Sequence, residues 1–313
     1  MPRFARYAWF VLAYNLAVIL WGAMVRATGS GAGCGSHWPL CNGQVVPRAA
    51  ALETLIEFSH RVTSGLALLM VLGLAVAALK TFPKGHSVRK WAWISFAFIL
   101  GEAAVGAGLV LFELVAGDKS VARALFMGSH LINTFLLLAA LTLTAFRAGA
   151  GEAAAPRFGG RFVTALLGML VVGSSGAIAA LGDTLFPAVT LQQALAQDLS
   201  PTAHSLVRLR VLHPFLSIGV GIGLLTLAWR TLHGSAERAP ALRYARAVIG
   251  LVVLQTLAGA VNVMLLAPIA MQILHLLLAD LLWIMVVLLA ASSHVRFPAV
   301  ASVPTATAAV SRA

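Results

Sequence analysis

Charge is what this chain has least of. Only 10% of its 313 residues are Asp, Glu, Lys or Arg, against about 25% in an average soluble domain. That scarcity excludes an ordinary soluble protein, and with it the pair of soluble domains that length alone would suggest. A hydrophobic share of 60% and a mean hydropathy of +0.92 exclude disorder as well, because disordered chains combine low hydrophobicity with high charge. Acidic residues are the scarcer sign, 10 against 22 basic ones, for a net charge of +12. No basic run is interleaved with aromatics, which sets nucleic acid aside as a partner. The basic excess instead fits Lys and Arg retained in the cytoplasmic loops of a membrane protein. Three motifs are also missing: CxxCH, HExxH and a P-loop. Their absence removes covalent c-type haem, the zincin metal site and phosphate cradling. The run Gly29-Ser30-Gly31-Ala32-Gly33 ends an apolar stretch with no strand before it, so it is no dinucleotide fingerprint either.

What is present is apolar length. A helix needs about 20 apolar residues to cross a hydrocarbon core of roughly 30 Å. Eight stretches qualify, near 7–25, 55–79, 91–112, 122–146, 162–181, 211–229, 245–266 and 270–291. The first follows Arg3 and Arg6 in the manner of a signal peptide, but its apolar run of about 19 residues exceeds the usual 7–15 and reads as a retained helix. Segments 1–6, 80–90, 147–161, 230–244 and the tail, with Arg246, hold 15 of the 22 Lys and Arg. This asymmetry places both termini in the cytoplasm of a plasma-membrane protein. The outer loops are then 26–54, 113–121, 182–210 and 267–269. The tail 298–313, rich in Ala, Val, Ser and Thr, is expected to be disordered.

The only cysteines, Cys34 and Cys41, share the first outer loop. An oxidising compartment favours a bridge between them. The bridge is either a staple on a long loop or a redox-active pair beside a cofactor.

The chain repeats itself. His60 of Glu57-Phe58-Ser59-His60 recurs as His213 of Arg210-Val211-Leu212-His213, an offset of 153. Val105-Gly106-Ala107 recurs as Ala258-Gly259-Ala260 at the same offset, and His130 recurs as His275 at 145. Four spans per copy return the chain to its starting side, so the copies are parallel repeats. The expected fold is an all-α integral membrane protein with eight transmembrane helices in two pseudo-symmetric four-helix bundles. The bundles are 1–149 and 150–297, with 298–313 as tail.

Of nine histidines, His37, His86, His204, His233 and His294 lie in loops or at helix edges and are given no role. His60, His130, His213 and His275 are expected within the first two turns of even-numbered spans. All four then share one level, near the outer face. A lone intramembrane histidine is often a packing residue bonded to a carbonyl; four at matched repeat positions point to function. Zinc would want three or four N or S ligands. Haem iron needs one imidazole on each face, which two histidines per bundle supply. Ser64, Thr134, Ser217 and Ala279, four residues deeper, are small enough to leave room for a porphyrin, although small residues are also common at membrane helix contacts.

The copies differ beside the first histidine. Glu57 shares a helix face with His60, whereas Arg210 stands before His213. Glu57 is either a surface partner for Arg61, Arg26 or Arg123, or an acid–base group at the first site. Arg210 would suit a haem propionate. Glu102 and Asp280 mark a proton or electron route or pair with other helices.

The run Gly22-Ala23-Met24-Val25-Arg26-Ala27-Thr28-Gly29-Ser30-Gly31, with Cys34, Trp38-Pro39-Leu40-Cys41 and Asn42-Gly43, precedes Glu57-Phe58-Ser59-His60-Arg61. Ala180-Leu181-Gly182-Asp183-Thr184-Leu185-Phe186-Pro187 and Gln192 follow in the second copy. This pattern resembles the haem A synthase family across all eight spans. The resemblance implies an enzyme that oxidises the C8 methyl of haem O to the formyl of haem A for terminal oxidases. It implies haem O or haem A between His60 and His130, haem b between His213 and His275, and an essential carboxylate at Glu57. Haem propionate contacts would fall to Arg26, Arg61 and Arg210. Implied partners are haem O synthase, the terminal oxidase assembly machinery and an unidentified electron partner, and a homo-oligomer is compatible. Members with a second cysteine pair carry it in the third outer loop, which here has none, so redox exchange there is not expected.

Two mechanisms fit: dioxygen activation at an iron released by His60 or His130, or electron withdrawal leaving a cation that water attacks. Two histidines on the substrate iron favour the second. The competing reading is a bis-histidine haem b protein that only transfers electrons, although four histidines near one face span no bilayer. A transporter would show Gly- or Pro-interrupted helices at the midplane. Absorbance and extracted pigment separate the three.

Overall fold

In the computed structural model, residues 2–48, 50–150, 159–234 and 239–293 are described. Eight helices are long and apolar enough to cross a membrane. They are α1 (Arg3–Ala27), α2 (Leu52–Thr81), α3 (Ser87–Leu111), α4 (Val121–Ala150), α5 (Gly160–Leu185), α7 (Ser205–His233), α8 (Ala239–Met264) and α9 (Ile269–Ser292). A ninth, α6 (Leu191–Leu199), links α5 to α7. No strand forms among the described residues. The tail expected to be disordered and His294 lie outside the described residues, as does most of the link between the copies.

The expected spans are all present, but several helices begin earlier than hydropathy suggests. The sixth span starts at Ser205, not near 211, and the segment expected as the loop 182–210 contains α6 and the ends of its neighbours. Hydropathy finds the lipid-facing part of a helix; caps set its start. His204 accepts from Leu206 N at 3.3 Å at the head of α7, and Thr190 accepts from Gln193 N at 3.1 Å at the head of α6. His86 does the same for α3, taking Val88 N at 3.1 Å. Such side chains satisfy amide groups that a first turn leaves unpaired.

Within each copy the spans close a ring. α1 packs on α2, α2 on α3, α3 on α4, and α4 back on α1; α5, α7, α8 and α9 repeat the order. Small residues let the backbones approach: Ala5 and Ala8 of α1, and Ala75 and Ala78 of α2, are fully buried. Outward-facing Phe10, Leu69, Ile222 and Trp229 stay more than half exposed. In water they would form an adhesive patch; against lipid tails they are matched to their surroundings.

The copies meet where α4 lies on α5 and α9 and where α1 meets α9. Trp283 donates from Nε1 to Phe135 O at 2.6 Å, and their rings stack at 4.9 Å. Arg26, on α1, donates to Ala180 O (2.8 Å) and Thr184 Oγ1 (2.7 Å) of α5 and to Gln272 Oε1 (2.7 Å) of α9.

Candidate functional site: two facing histidine pairs

The four helices that carry the histidines, α2, α4, α7 and α9, all run in the same direction, because each follows an odd number of crossings. His60, His130 and His213 lie in the third turn of their helices and His275 in the second. The expectation of the first two turns therefore holds only for His275. The cause is the early helix starts: first turns that each carry a charged residue, Glu53, Arg123 and Arg208, precede the apolar part.

The second pair faces itself directly. The rings of His213 and His275 have centroids 6.3 Å apart and planes nearly perpendicular, at 88°. A metal–imidazole bond of about 2 Å on each side of one ion would set the centroids roughly 6 Å apart. In the first pair, His60 and His130 lie within electrostatic reach of each other.

Three of the four rings rest on a glycine. A Cβ on Gly22 of α1 would lie 2.9 Å from Cε1 of His60, one on Gly176 of α5 2.9 Å from Cε1 of His213, and one on Gly259 of α8 3.0 Å from Cε1 of His275. Gly22 and Gly176 stand 154 residues apart, one more than the histidines they abut, so each copy clears backbone space for the first histidine of its pair. His130 has a different neighbour. Its Nδ1 lies 2.9 Å from Glu102 Oε2, although the N–H does not point straight along that contact.

The polar environment of the rings also differs. His60 Nδ1, His130 Nδ1 and His275 Nδ1 are buried without a hydrogen-bond partner, and of the three His130 Nδ1 has a carboxylate within ion-pair distance. His213 Nδ1 meets Ser175 Oγ at 3.0 Å, and His275 Nε2 meets Gln255 Nε2 at 3.2 Å. Buried imidazole nitrogens without partners are costly in a packed protein. Imidazoles paired within a helix bundle, with orphaned nitrogens and glycine clearance, are a donor set that fits haem iron. No group of three or more His, Cys, Asp or Glu among the described residues is placed to hold a metal ion, whereas an axial haem site needs only two.

Glu57 is 4% exposed. Its Oε1 takes Arg61 Nη2 at 2.5 Å and Nε at 3.1 Å, and its Oε2 takes the Cys34 amide at 2.8 Å. The first loop delivers that amide. Gly33 sits so close to α2 that a Cβ would fall 2.5 Å from Glu53 backbone atoms, and Thr54 Oγ1 donates to Gly33 O at 2.7 Å. Cys34 and Cys41 are disulfide-bonded, closing the loop above Glu57.

The three arginines considered for propionates are all engaged by protein. Arg26 crosses to the second copy, and Arg61 holds Glu57 and the carbonyls of His37 (2.6 Å) and Leu40 (2.7 Å). Arg210 bonds Asp198 Oδ1 at 2.5 Å and Asp183 Oδ1 at 3.3 Å. A propionate would have to displace or share one of these acceptors.

Fold and site together define a polytopic membrane protein built of two related halves, each with a pair of inward histidines. A family model described as cytochrome oxidase assembly protein (COX15-CtaA) matches residues 5–287, and the chain belongs to that family. It is 50% identical over 298 residues to a protoheme IX farnesyltransferase of Thermus thermophilus, covering 93% of this chain and 48% of that protein. It is 38% identical over 134 residues to a heme A synthase of Bacillus mycoides and 37% to one of Bacillus anthracis, covering 42% of each partner in both comparisons. The chain thus spans about half the length of the curated relatives it matches.

Proposed function

We propose that this chain is a haem A synthase, an oxidoreductase that converts the C8 methyl of haem O to the formyl of haem A. The observation that carries the reading is the duplicated pair of histidines, with the rings of His213 and His275 facing each other in the second copy and glycine clearance behind three of the four rings. Membership of an oxidase-assembly family and relatives named heme A synthase support it.

His60 and His130 would hold the substrate haem, and His213 and His275 a resident haem b. The two sites belong to an N-terminal unit, 1–149, and a C-terminal unit, 150–297. Turning the methyl into a formyl removes four electrons and adds one oxygen atom, and bound haem supplies the redox-active centre for that change. Glu57 is the residue assigned to acid–base or charge-stabilising work at the reacting edge. The Cys34 amide and Arg61 fix its two oxygens, so the carboxylate is oriented before substrate arrives. Both termini are assigned to the cytoplasm of the plasma membrane and the histidine level to the outer face, on the Lys and Arg distribution. An electron acceptor, haem O synthase and the oxidase assembly machinery are the partners this chemistry requires.

The name of the Thermus relative raises prenyl transfer as a second reading. Transfer from a prenyl diphosphate calls for carboxylates clustered around magnesium. The four aspartates here, Asp118, Asp183, Asp198 and Asp280, are scattered along the chain, and Asp183 and Asp198 are both bonded to Arg210. The histidine pairs favour oxidation.

The test supplies haem O to membranes that contain the chain and follows the extracted pigment. Haem A appearing in step with the protein is the expected result. Unchanged haem O with a working electron acceptor refutes the assignment.

A further inference from the structure

The two copies surround the second histidine of each pair with different chemistry. In the first copy, Glu102 of α3 sits at the centre of a polar cluster. Its Oε2 is 2.9 Å from His130 Nδ1, and its Oε1 accepts from Asn133 Nδ2 at 2.7 Å and lies 3.0 Å from Thr134 Oγ1. Asn133 also donates to Phe98 O at 2.8 Å, which ties the cluster to the α3 backbone. The repeat offset of 153 carries Glu102 onto Gln255, and the offset of 145 carries Asn133 and Thr134 onto Leu278 and Ala279. A carboxylate, an amide and a hydroxyl thus become an amide and two apolar side chains. Gln255 still reaches the ring, but its Nε2 lies against Nε2 of His275, and His275 Nδ1 has no carboxylate beside it such as Glu102 sets 2.9 Å from His130 Nδ1.

We propose that Glu102 is the positioning residue for His130, holding the ring by Nδ1 so that Nε2 is presented to the iron of the substrate haem. A carboxylate on the far nitrogen of an axial imidazole fixes the ring's orientation and raises its basicity as a ligand. Asn133 and Thr134 hold the carboxylate in turn, so the imidazole is braced by a network with no equivalent in the other copy. The first site is therefore built with a strongly donating, rigidly aimed ligand on α4, and the second with ligands that no carboxylate braces. This rests on the reading of His60 and His130 as the substrate-haem ligands. It adds a reason why one copy oxidises its haem and the other only keeps one: the electron-rich ligand lies on the side where electrons must be drawn out of the macrocycle.

The experiment uses full-length protein reconstituted with protohaem (iron protoporphyrin IX) at both sites. Retention on washing and the reduction midpoint of each haem are read in wild type, Glu102→Gln and Gln255→Glu. Glu102→Gln raises the midpoint of the first-site haem and weakens its retention by about 10- to 100-fold, while the second-site haem is unchanged. Gln255→Glu lowers the second-site midpoint and leaves the first alone. A first-site haem with wild-type midpoint and retention in Glu102→Gln overturns the proposal. If Glu102→Gln also sheds the second haem, its fold is disturbed and Gln255→Glu decides. A lowered second midpoint then supports the role of a carboxylate on the axial ring, and an unmoved one overturns it. Wild type that binds both haems but makes no haem A defeats the proposed reaction without touching these midpoints.

Discussion

The two copies differ most at the positions that flank their first histidine. In α2 an acid and a base stand one turn apart, Glu57 and Arg61, and close an ion pair along the helix. In α7 the same two positions hold Arg210 and Pro214. Proline cannot donate a backbone hydrogen bond or pair with a charge, and Arg210 pairs instead with Asp183 and Asp198. The histidines, and a glycine clearance behind the first of each pair, recur in both copies, while Glu57, on the helix of His60, and Glu102, beside His130, become Arg210 and Gln255 in the second. Holding a ring in place and carrying negative charge beside it are therefore separable tasks, and only the first copy is built for both.

The sharpest way to break this comparison is to remove a histidine from the copy that has Arg210 and Gln255 in place of Glu57 and Glu102. His213→Ala or His275→Ala is expected to abolish a tightly held low-spin haem b while leaving the first-site pigment. If both variants keep the full haem b spectrum, the second copy is not a haem site.

Next in size is the carboxylate itself. Glu57→Gln keeps the side chain's shape and its contact with the Cys34 amide, and the second copy already holds its pair without an acid there. The expected outcome is unchanged haem content with oxidation of haem O slowed about 10²- to 10⁴-fold. Haem A formation at the wild-type rate reduces Glu57 to an ion-pair partner of Arg61.

Smaller still are the glycine clearances. Gly22→Ala places a carbon 2.9 Å from the His60 ring and Gly176→Ala one at the same distance from His213. Each is expected to weaken its own site by about 1–3 kcal/mol through overpacking, read as haem retention, with the other site unaffected. Equal loss at both sites in either variant would show that the copies do not pack independently.

The smallest effect is expected from the loop staple. Cys34→Ser and Cys41→Ser should leave both haems bound, because membrane helices satisfy their own backbone without it. Alkylation of native protein without reductant checks the bridge: it should label no thiol, and two labelled thiols would contradict it.

Much of this was legible in the sequence because membrane helices and internal repeats leave long-period signals. Apolar runs revealed all eight spans, and the recurrence of His60 as His213 and of His130 as His275 revealed both pairs. Helix starts were less legible. Ser205–Arg210 carries Arg208 and Arg210 among its apolar residues, so hydropathy misses it, and His204 reads as a loop histidine although it caps α7. The Glu102–His130 contact was the hardest to see, because it joins two helices and no local spacing announces it. The repeat did hold the signal. Glu102 and Gln255 sit at the offset that relates His60 to His213, so the replacement of an acid by its own amide beside a duplicated histidine could be read from the sequence.

The central claim is that one chain carries two unequal haem sites, one for a substrate and one for a resident group. The direct measurement is the identity and amount of haem extracted from the purified wild-type protein. The account predicts two haems per chain, haem b together with haem O or haem A, and His275→Ala protein that has lost only the haem b. Protein carrying haem b alone, or no pigment, contradicts it.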